Sequence, residues 1–195
     1  MPMLYVDLSM SLDGFITGPN PGVANPLGGA SGERLHAWMF DRRTEADAKI
    51  RDEKYERTGA IIIGKRMFDE GVEPWGDPPP FNNMPVFVVT HEDREPLPRK
   101  GGTTYTFVTT GIEAALDQAN SAAAGKDVGV WGGAEIARQY LDAGLLDELQ
   151  IHLMPVLLGA GVRLFADLNA APIELERTRT VETPSAIHIW YSVLR

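Results

Sequence analysis

Nine residues constrain this chain more than any others: Val128-Gly129-Val130-Trp131-Gly132-Gly133-Ala134-Glu135-Ile136. A short apolar run ends in two glycines, and a helical pattern of Ala134, Ile136, Ala137, Tyr140 and Leu141 begins at once. A strand entering a helix with no side chains at the junction must turn sharply. Paired glycines permit positive φ there and let another group approach the backbone closely. The free N–H groups of the following first helical turn form a seat for a phosphate. A tight turn also needs glycine for its own sake, so the junction alone leaves both readings open.

The same grammar runs along the chain. Met3 to Met10 reads as a first strand, apolar enough to be central, and Ser11-Leu12-Asp13-Gly14 breaks it with a turn. Residues 17–32 are a long Gly/Pro/Asn-rich loop, and a helix is expected from Gly32 to Phe40 with Leu35, Trp38 and Met39 on one face. Thr44-Glu45-Ala46-Asp47 has the form of a capping box opening a strongly charged helix through Arg57. Ala60 to Ile63 is a buried strand, and Gly64-Lys65-Arg66-Met67-Phe68 turns it into a helix. After an irregular loop at 71–85 come strands at Val86–Thr90 and Thr104–Val108, and a helix from Ile112 to Ala124. The opening strand and helix follow, stopped by Gly144, and then a strand from Leu146 to Met154. Ile173–Val181 and Ala186–Val193 pair as a hairpin. The alternation predicts one α/β domain over residues 1–195, with three α/β/α layers, a mostly parallel sheet and an antiparallel C-terminal edge.

Bulk properties narrow the function. The formal net charge of −9 argues against nucleic acid or an anionic membrane as partner. With no cysteine, disulfides, thiolate zinc sites and cysteine nucleophiles are excluded. No apolar stretch reaches the ~18 residues of a membrane span, and a cytoplasmic, soluble protein is expected.

Two junctions share the order strand, glycine, helix: Ile63-Gly64-Lys65-Arg66 and Trp131-Gly132-Gly133-Ala134. Both fall at carboxyl ends of strands, where open α/β sheets bind ligands. Lys65 and Arg66 place cations against the helix dipole, an arrangement that an anion between them would explain. Thr90-His91 ends the neighbouring strand and offers further donors. No Gly-x-Gly-x-x-Gly, Walker lysine, His-Glu-x-x-His or Gly-x-Ser-x-Gly pattern occurs, and no metal-ligand spacing is present. Among the histidines, His152 stands out: alternation puts Gln150, His152 and Met154 on one face of a strand, and a polar residue there must be satisfied.

In ordered combination, Ser11-Leu12-Asp13-Gly14, Gly64-Lys65-Arg66, Gly132-Gly133-Ala134, Gly144-Leu145-Leu146-Asp147-Glu148-Leu149 and Pro155-Val156-Leu157-Leu158-Gly159 resemble the dihydrofolate reductase-like superfamily. The resemblance is greatest to the reductase domain of bifunctional riboflavin-biosynthesis deaminase-reductases and their stand-alone relatives. It implies a sheet of eight or nine strands, NADPH as cofactor, hydride transfer to a heterocyclic substrate, and a homodimer. It also implies that Gly132, Gly133, Ala134, Glu135 and Ile136 hold the pyrophosphate, while Gly64, Lys65, Arg66, Thr90 and His91 hold the adenosine phosphate. Asp13 and His152 are the candidate catalytic groups, with His36, Trp38 and Trp75 on the substrate side. The pattern departs from its relatives at three places. Leu35 stands where dihydrofolate reductases carry an acid, Trp131 precedes the two glycines where the riboflavin reductases carry Glu, and Asp7 replaces a first-strand lysine. Dihydrofolate is therefore not the expected substrate. The reaction expected is that of a 5-amino-6-(5-phosphoribosylamino)uracil reductase-like enzyme. The alternatives are reduction of another small molecule, or a non-catalytic nucleotide-binding dimer.

Overall fold

The computed structural model describes residues 2–40, 43–170 and 172–194. In chain order these form β1 (Leu4–Ser11), β2 (Phe15–Thr17), α1 (Ala30–Glu33), α2 (Glu45–Arg57), β3 (Thr58–Gly64), α3 (Lys65–Gly71), β4 (Val86–Val89) and β5 (Leu97–Pro98). There follow β6 (Thr104–Val108), α4 (Ile112–Ala122), β7 (Asp127–Val130), α5 (Ala134–Asp142), β8 (Glu148–Met154), β9 (Val162–Arg163), β10 (Leu175–Glu182) and β11 (Ile187–Val193). Nine strands make one sheet in the order β10-β11-β8-β1-β7-β3-β4-β6-β5, so β1 lies inside it as its apolar run requires. The six strands from β8 to β6 are parallel. The C-terminal hairpin adds the expected antiparallel edge, and the two-residue β5 adds another at the opposite side.

The two faces of the sheet differ in chemistry. On one, Leu4, Val6 and Leu8 of β1 join Ile62, Val128 and Val130 against Ala115 and Ala119 of α4 and Ile136, Ala137 and Tyr140 of α5. This face is apolar and closely packed. On the other, Ile61, Ile63, Val86 and Val88 pack on Phe68 of α3, but the stretch over β1, β8 and β11 is covered by α2. The buried positions of α2 are Asp47, Ile50 and Lys54, spaced three and four apart: one apolar residue between two charges. Such a stripe can be buried only against a polar surface.

The Thr44 cap is formed as its sequence requires. Its hydroxyl accepts from the Asp47 N–H at 3.2 Å, and its own N–H donates to Asp47 Oδ2 at 2.7 Å. The helix expected from Gly32 to Phe40 is instead α1, four residues long, followed by a 3₁₀ turn at Arg34–His36. The three-residue period of that turn keeps Leu35 and Trp38 on one side, and both are fully buried. The spacing of the apolar residues thus marked the right face without marking a continuous helix. β2 and β9 form a separate two-stranded sheet that ties the turn after β1 to the loop after β8. The 17–32 loop is closed by the Gly18 N–H donating to Leu27 O at 2.7 Å, and Val23 reaches the outer surface of α3 beside Phe68 and Val72.

Candidate active site

The two glycine junctions lie side by side because β3 and β7 are neighbours, with Ile62 opposite Val130 and the Trp131 N–H donating to Ile62 O at 3.2 Å. Gly132 and Gly133 have φ of +114° and +88°, a conformation only glycine adopts readily. A Cβ at Gly132 would also collide with the Met67 sulfur of α3. Gly133 caps α5 without a side-chain bond, so the first-turn N–H groups of α5 meet no side chain of the cap. Gly64 has an ordinary φ of −83°, and what its missing side chain provides is room beside Ile136.

The remaining residues expected on the cofactor side gather along the same edge. Gly64 is in register with Val89 of β4, which places Thr90 and His91 just beyond it. Thr90 is buried and its hydroxyl accepts from Glu92 N–H at 3.0 Å, while His91 is exposed. The Lys65 ammonium is held by Asp69 at 2.5 Å and Glu92 at 3.3 Å, and its hydrogen bond to Asp69 raises its pKa. Arg66, half exposed, faces Glu70 at 3.5 Å. Both cations are thus matched by carboxylates of the chain itself.

Below this edge, α2 covers a buried polar array. Ser9, His152 and His188 form a row across β1, β8 and β11. Trp38 seals it, donating its indole N–H to Ser9 Oγ at 2.9 Å, with its ring 4.2 Å from His152 and 4.9 Å from His188. From the edge inward, Lys54 Nζ donates to Asp7 Oδ1 at 2.8 Å, and Asp7 Oδ2 meets His152 Nε2 at 3.1 Å. His152 Nδ1 meets His188 Nδ1 at 2.6 Å, and His188 Nε2 meets Asp47 Oδ1 at 2.9 Å.

The proton count of this chain of bonds is fixed by what each atom can do. A carboxylate only accepts, so both Nε2 atoms donate; the Nδ1···Nδ1 contact then needs one more proton. The imidazole pair therefore carries three protons on four nitrogens, one positive charge in all. Burial opposes ionisation of Asp7, but Lys54 and His152 overcome it and hold the carboxyl well below its usual range. Burial likewise opposes charge on Asp47, and the Thr44 and His188 bonds lower it. Burial and the charge of His152 push His188 down to about 4, so the pair resists a second proton and His188 is the neutral ring.

The pH dependence of stability follows in sign. The unfolded His188 imidazole takes up its proton near 6.5 and the folded one lower, so the His188 contribution to stability is fully present above pH 6.5 and is lost as pH drops toward 4. The loss is on the order of 3 kcal/mol at most, and Asp7 and Asp47 add to it below about pH 4. His188→Gln should lower the urea midpoint at pH 7 and flatten its slope between pH 6.5 and 4.5. A wild-type midpoint constant over that window would contradict the assignment.

The other candidate residues separate by location. His36 is near the array: burial lowers its pKa, and its Nδ1 lies 3.4 Å from Gly32 O. Asp13 is a clamp between loops, its oxygens accepting from the Leu158 N–H at 3.1 Å and the Gly159 N–H at 2.7 Å. Trp75 packs on Gly71 and edge-on to Phe81 at 4.9 Å, against the cluster under α3. Trp131 is buried, donating to the Tyr5 hydroxyl at 3.1 Å, with Lys54 Nζ 4.7 Å from its ring centroid. His36, Trp38 and His152 are thus brought together, and four residues that the sequence did not mark as site residues join them: Asp7, Asp47, Lys54 and His188.

The edge fits a dinucleotide. Two positive-φ glycines leave bare backbone beside a helix start, and no side chain could occupy Gly132 without displacing Met67. No helix among the described residues is long and apolar enough to cross a membrane.

Known proteins agree with this architecture. The uncharacterised YyaP of Bacillus subtilis (strain 168) is 25% identical over 189 residues, covering 91% of this chain and 88% of its own. The crystal structure of a proposed riboflavin biosynthesis protein from Shewanella sp. PV-4 superposes with a TM-score of 0.74 at 21% identity, covering 99% of both chains. Dihydrofolate reductase from Enterococcus faecalis, complexed with NADP(H), superposes with a TM-score of 0.61 at 18% identity, covering 98% of this chain and 96% of that one. The fold is accordingly dihydrofolate reductase-like. The profile of the RibD C-terminal domain matches residues 2–189, and with nearly the whole chain inside that match, this protein belongs to the RibD C-terminal domain family.

Proposed function

We propose that this protein is an NADPH-dependent reductase that transfers hydride to a small heterocyclic, carbonyl or imine substrate. The observation that carries the reading is the Gly132-Gly133 cradle at the strand edge, directly beside a buried polar array with titratable groups. NADPH, when bound, would supply the hydride. Gly132, Gly133 and the first turn of α5 (Ala134, Glu135, Ile136) would seat the pyrophosphate through backbone N–H groups. Gly64, Lys65, Arg66, Thr90 and His91 would face the adenosine phosphate. His36, half-buried, would face the substrate, while Trp38 and His152, fully buried, would support that side from behind, His152 by positioning Asp7. Asp13 would hold the loops on either side of the cleft, and Trp75 would brace the end of α3. The 17–32 loop reaches α3 and would act as a lid that excludes water.

The riboflavin-pathway pyrimidine is one substrate reading. Reduction of a different small molecule is favoured by a specific observation: Asp7, where relatives carry lysine, is paired with Lys54, so the charge in this array has moved from the strand to the helix. Quenching of intrinsic tryptophan fluorescence by NADPH tests the cofactor. Micromolar binding, weakened in Lys65→Ala and Arg66→Ala and weaker for NADH, is the expected result. Binding of neither nucleotide would remove the reductase reading. Turnover assays with the pyrimidine and with a carbonyl and imine panel separate the substrates.

A homodimer is part of the same proposal. β10 is an edge strand that pairs only with β11 among the described residues and is exposed along nearly its whole length, an arrangement suited to pairing with a second copy. A sedimenting mass of a single chain would contradict it.

A further inference from the structure

We infer that Lys54 is a ligand-recognition group at the Trp131 end of the buried polar array, where its ammonium donates to an uncharged acceptor, a carbonyl oxygen or a ring nitrogen. That the ligand is the molecule to be reduced rests on the reductase reading above; the recognition itself does not.

The donor inventory points there. An ammonium has three N–H donors. One of those on Lys54 goes to Asp7 Oδ1 at 2.8 Å, and among the described residues no other acceptor receives one. Yet the Lys54 side chain is only 8% exposed. Lys65, at the neighbouring edge, is 30% exposed and still meets two carboxylates. A buried cation with unused donors is costly; the Trp131 ring face offsets part of that cost, and an acceptor from a ligand would offset more of it. The ammonium sits over Trp131, the residue immediately before Gly132-Gly133, so that acceptor would lie beside the cofactor seat. A donor on the acceptor atom also draws electrons from the bond that receives hydride.

The charge of the array sets the class of ligand. Asp7 balances Lys54, and Asp47 balances the single positive charge of the His152–His188 pair. His36, the next ring toward the 3₁₀ turn, is kept neutral by its burial. The array is therefore neutral as a whole. An anion placed against it would bring an uncompensated charge into a buried site, whereas a carbonyl or ring nitrogen would not.

The test uses uracil as the uncharged probe and orotate, its carboxylate derivative, as the anionic one, both without nucleotide. The chain has five lysines, so ε-carbon labelling resolves Lys54. Uracil should shift the Lys54 signal in the wild type and bind more tightly than orotate. Lys54→Met should weaken uracil binding by about tenfold, the value of one charged hydrogen bond. Lys54→Arg, which keeps a cation and several donors, should retain most of the affinity. An unmoved Lys54 signal, no uracil binding up to its solubility limit, or tighter binding of orotate would each overturn the assignment. The wild-type shift and Lys54→Arg keep the test decisive if Lys54→Met does not fold. NADPH is titrated separately, so failure there removes the reductase reading and leaves the assignment of Lys54 unaffected.

Discussion

Asp7→Asn should destabilise the protein by about 3–5 kcal/mol, the cost of leaving a buried cation without its partner. Asp7 is the hinge of the array: one oxygen binds Lys54 and the other binds His152, and its side chain is only 4% exposed. An amide keeps the shape and one acceptor, but it leaves Lys54 and the imidazole pair with Asp47 as their only counter-charge. The shared proton should then be released, since a donor from the amide would face the His152 N–H. Adding Lys54→Met to Asp7→Asn should recover part of the loss, because the orphaned ammonium is gone. Urea denaturation at pH 7 of the four proteins gives the coupling directly. A loss below about 1 kcal/mol for Asp7→Asn would mean that water solvates the array and that its charge balance is not structural.

Gly132→Ala should weaken NADPH binding by roughly ten- to 150-fold, corresponding to the loss of one charged backbone hydrogen bond at about 1.5–3 kcal/mol. At φ +114° a Cβ is strained, and relief of that strain would move the turn whose N–H groups would face the pyrophosphate, while the Met67 thioether shifts aside. Strain alone would also lower stability, so a control is needed. Gly144 ends α5 with φ +65° and has nothing within 4 Å of an added Cβ. Gly144→Ala therefore puts a positive-φ alanine, with no collision, at the far end of the same helix. Its melting temperature should fall as that of Gly132→Ala does, while its NADPH affinity stays within about twofold of the wild type. Equal loss of affinity in both variants would make the Gly132 effect one of stability only.

The features legible in the sequence are those written locally. Thr44 through Asp47 spelled a capping box, and the cap is formed. The order of strands and helices, the interior place of β1 and the antiparallel hairpin were all readable from hydrophobic period and turn residues. β2, β5 and β9 are two or three residues long, too short for any period to show. Gly32 to Phe40 carried the right apolar spacing, but a 3₁₀ turn and a four-residue helix share that spacing with a longer helix over so short a span.

The polar array was illegible for a different reason. Its bonds join residues 47, 145, 36 and 141 positions apart, and pairing at such distances is decided by sheet order, not by local sequence. Alternation did mark His152 as inward-facing, and the same alternation holds for Tyr5, Asp7 and Ser9 in β1. Lys54 and Asp47 gave no such sign. Charged residues on a strongly charged helix ordinarily face water, and nothing local distinguishes the two that do not. Trp75, in a Pro-rich loop, looked available to cover a ring; its place on Gly71 and Phe81 depends on how that loop folds back.

Whether the glycine edge seats the nucleotide can be read residue by residue from a titration of the uniformly ¹⁵N-labelled wild-type protein with NADPH. At micromolar nucleotide the backbone amides of residues 132–136 should shift first and furthest, together with those of 64–66 and 90–91. No shifts at millimolar NADPH, or shifts confined to the outer face of α2 or to the C-terminal hairpin, would refute the seat and with it the proposed reductase.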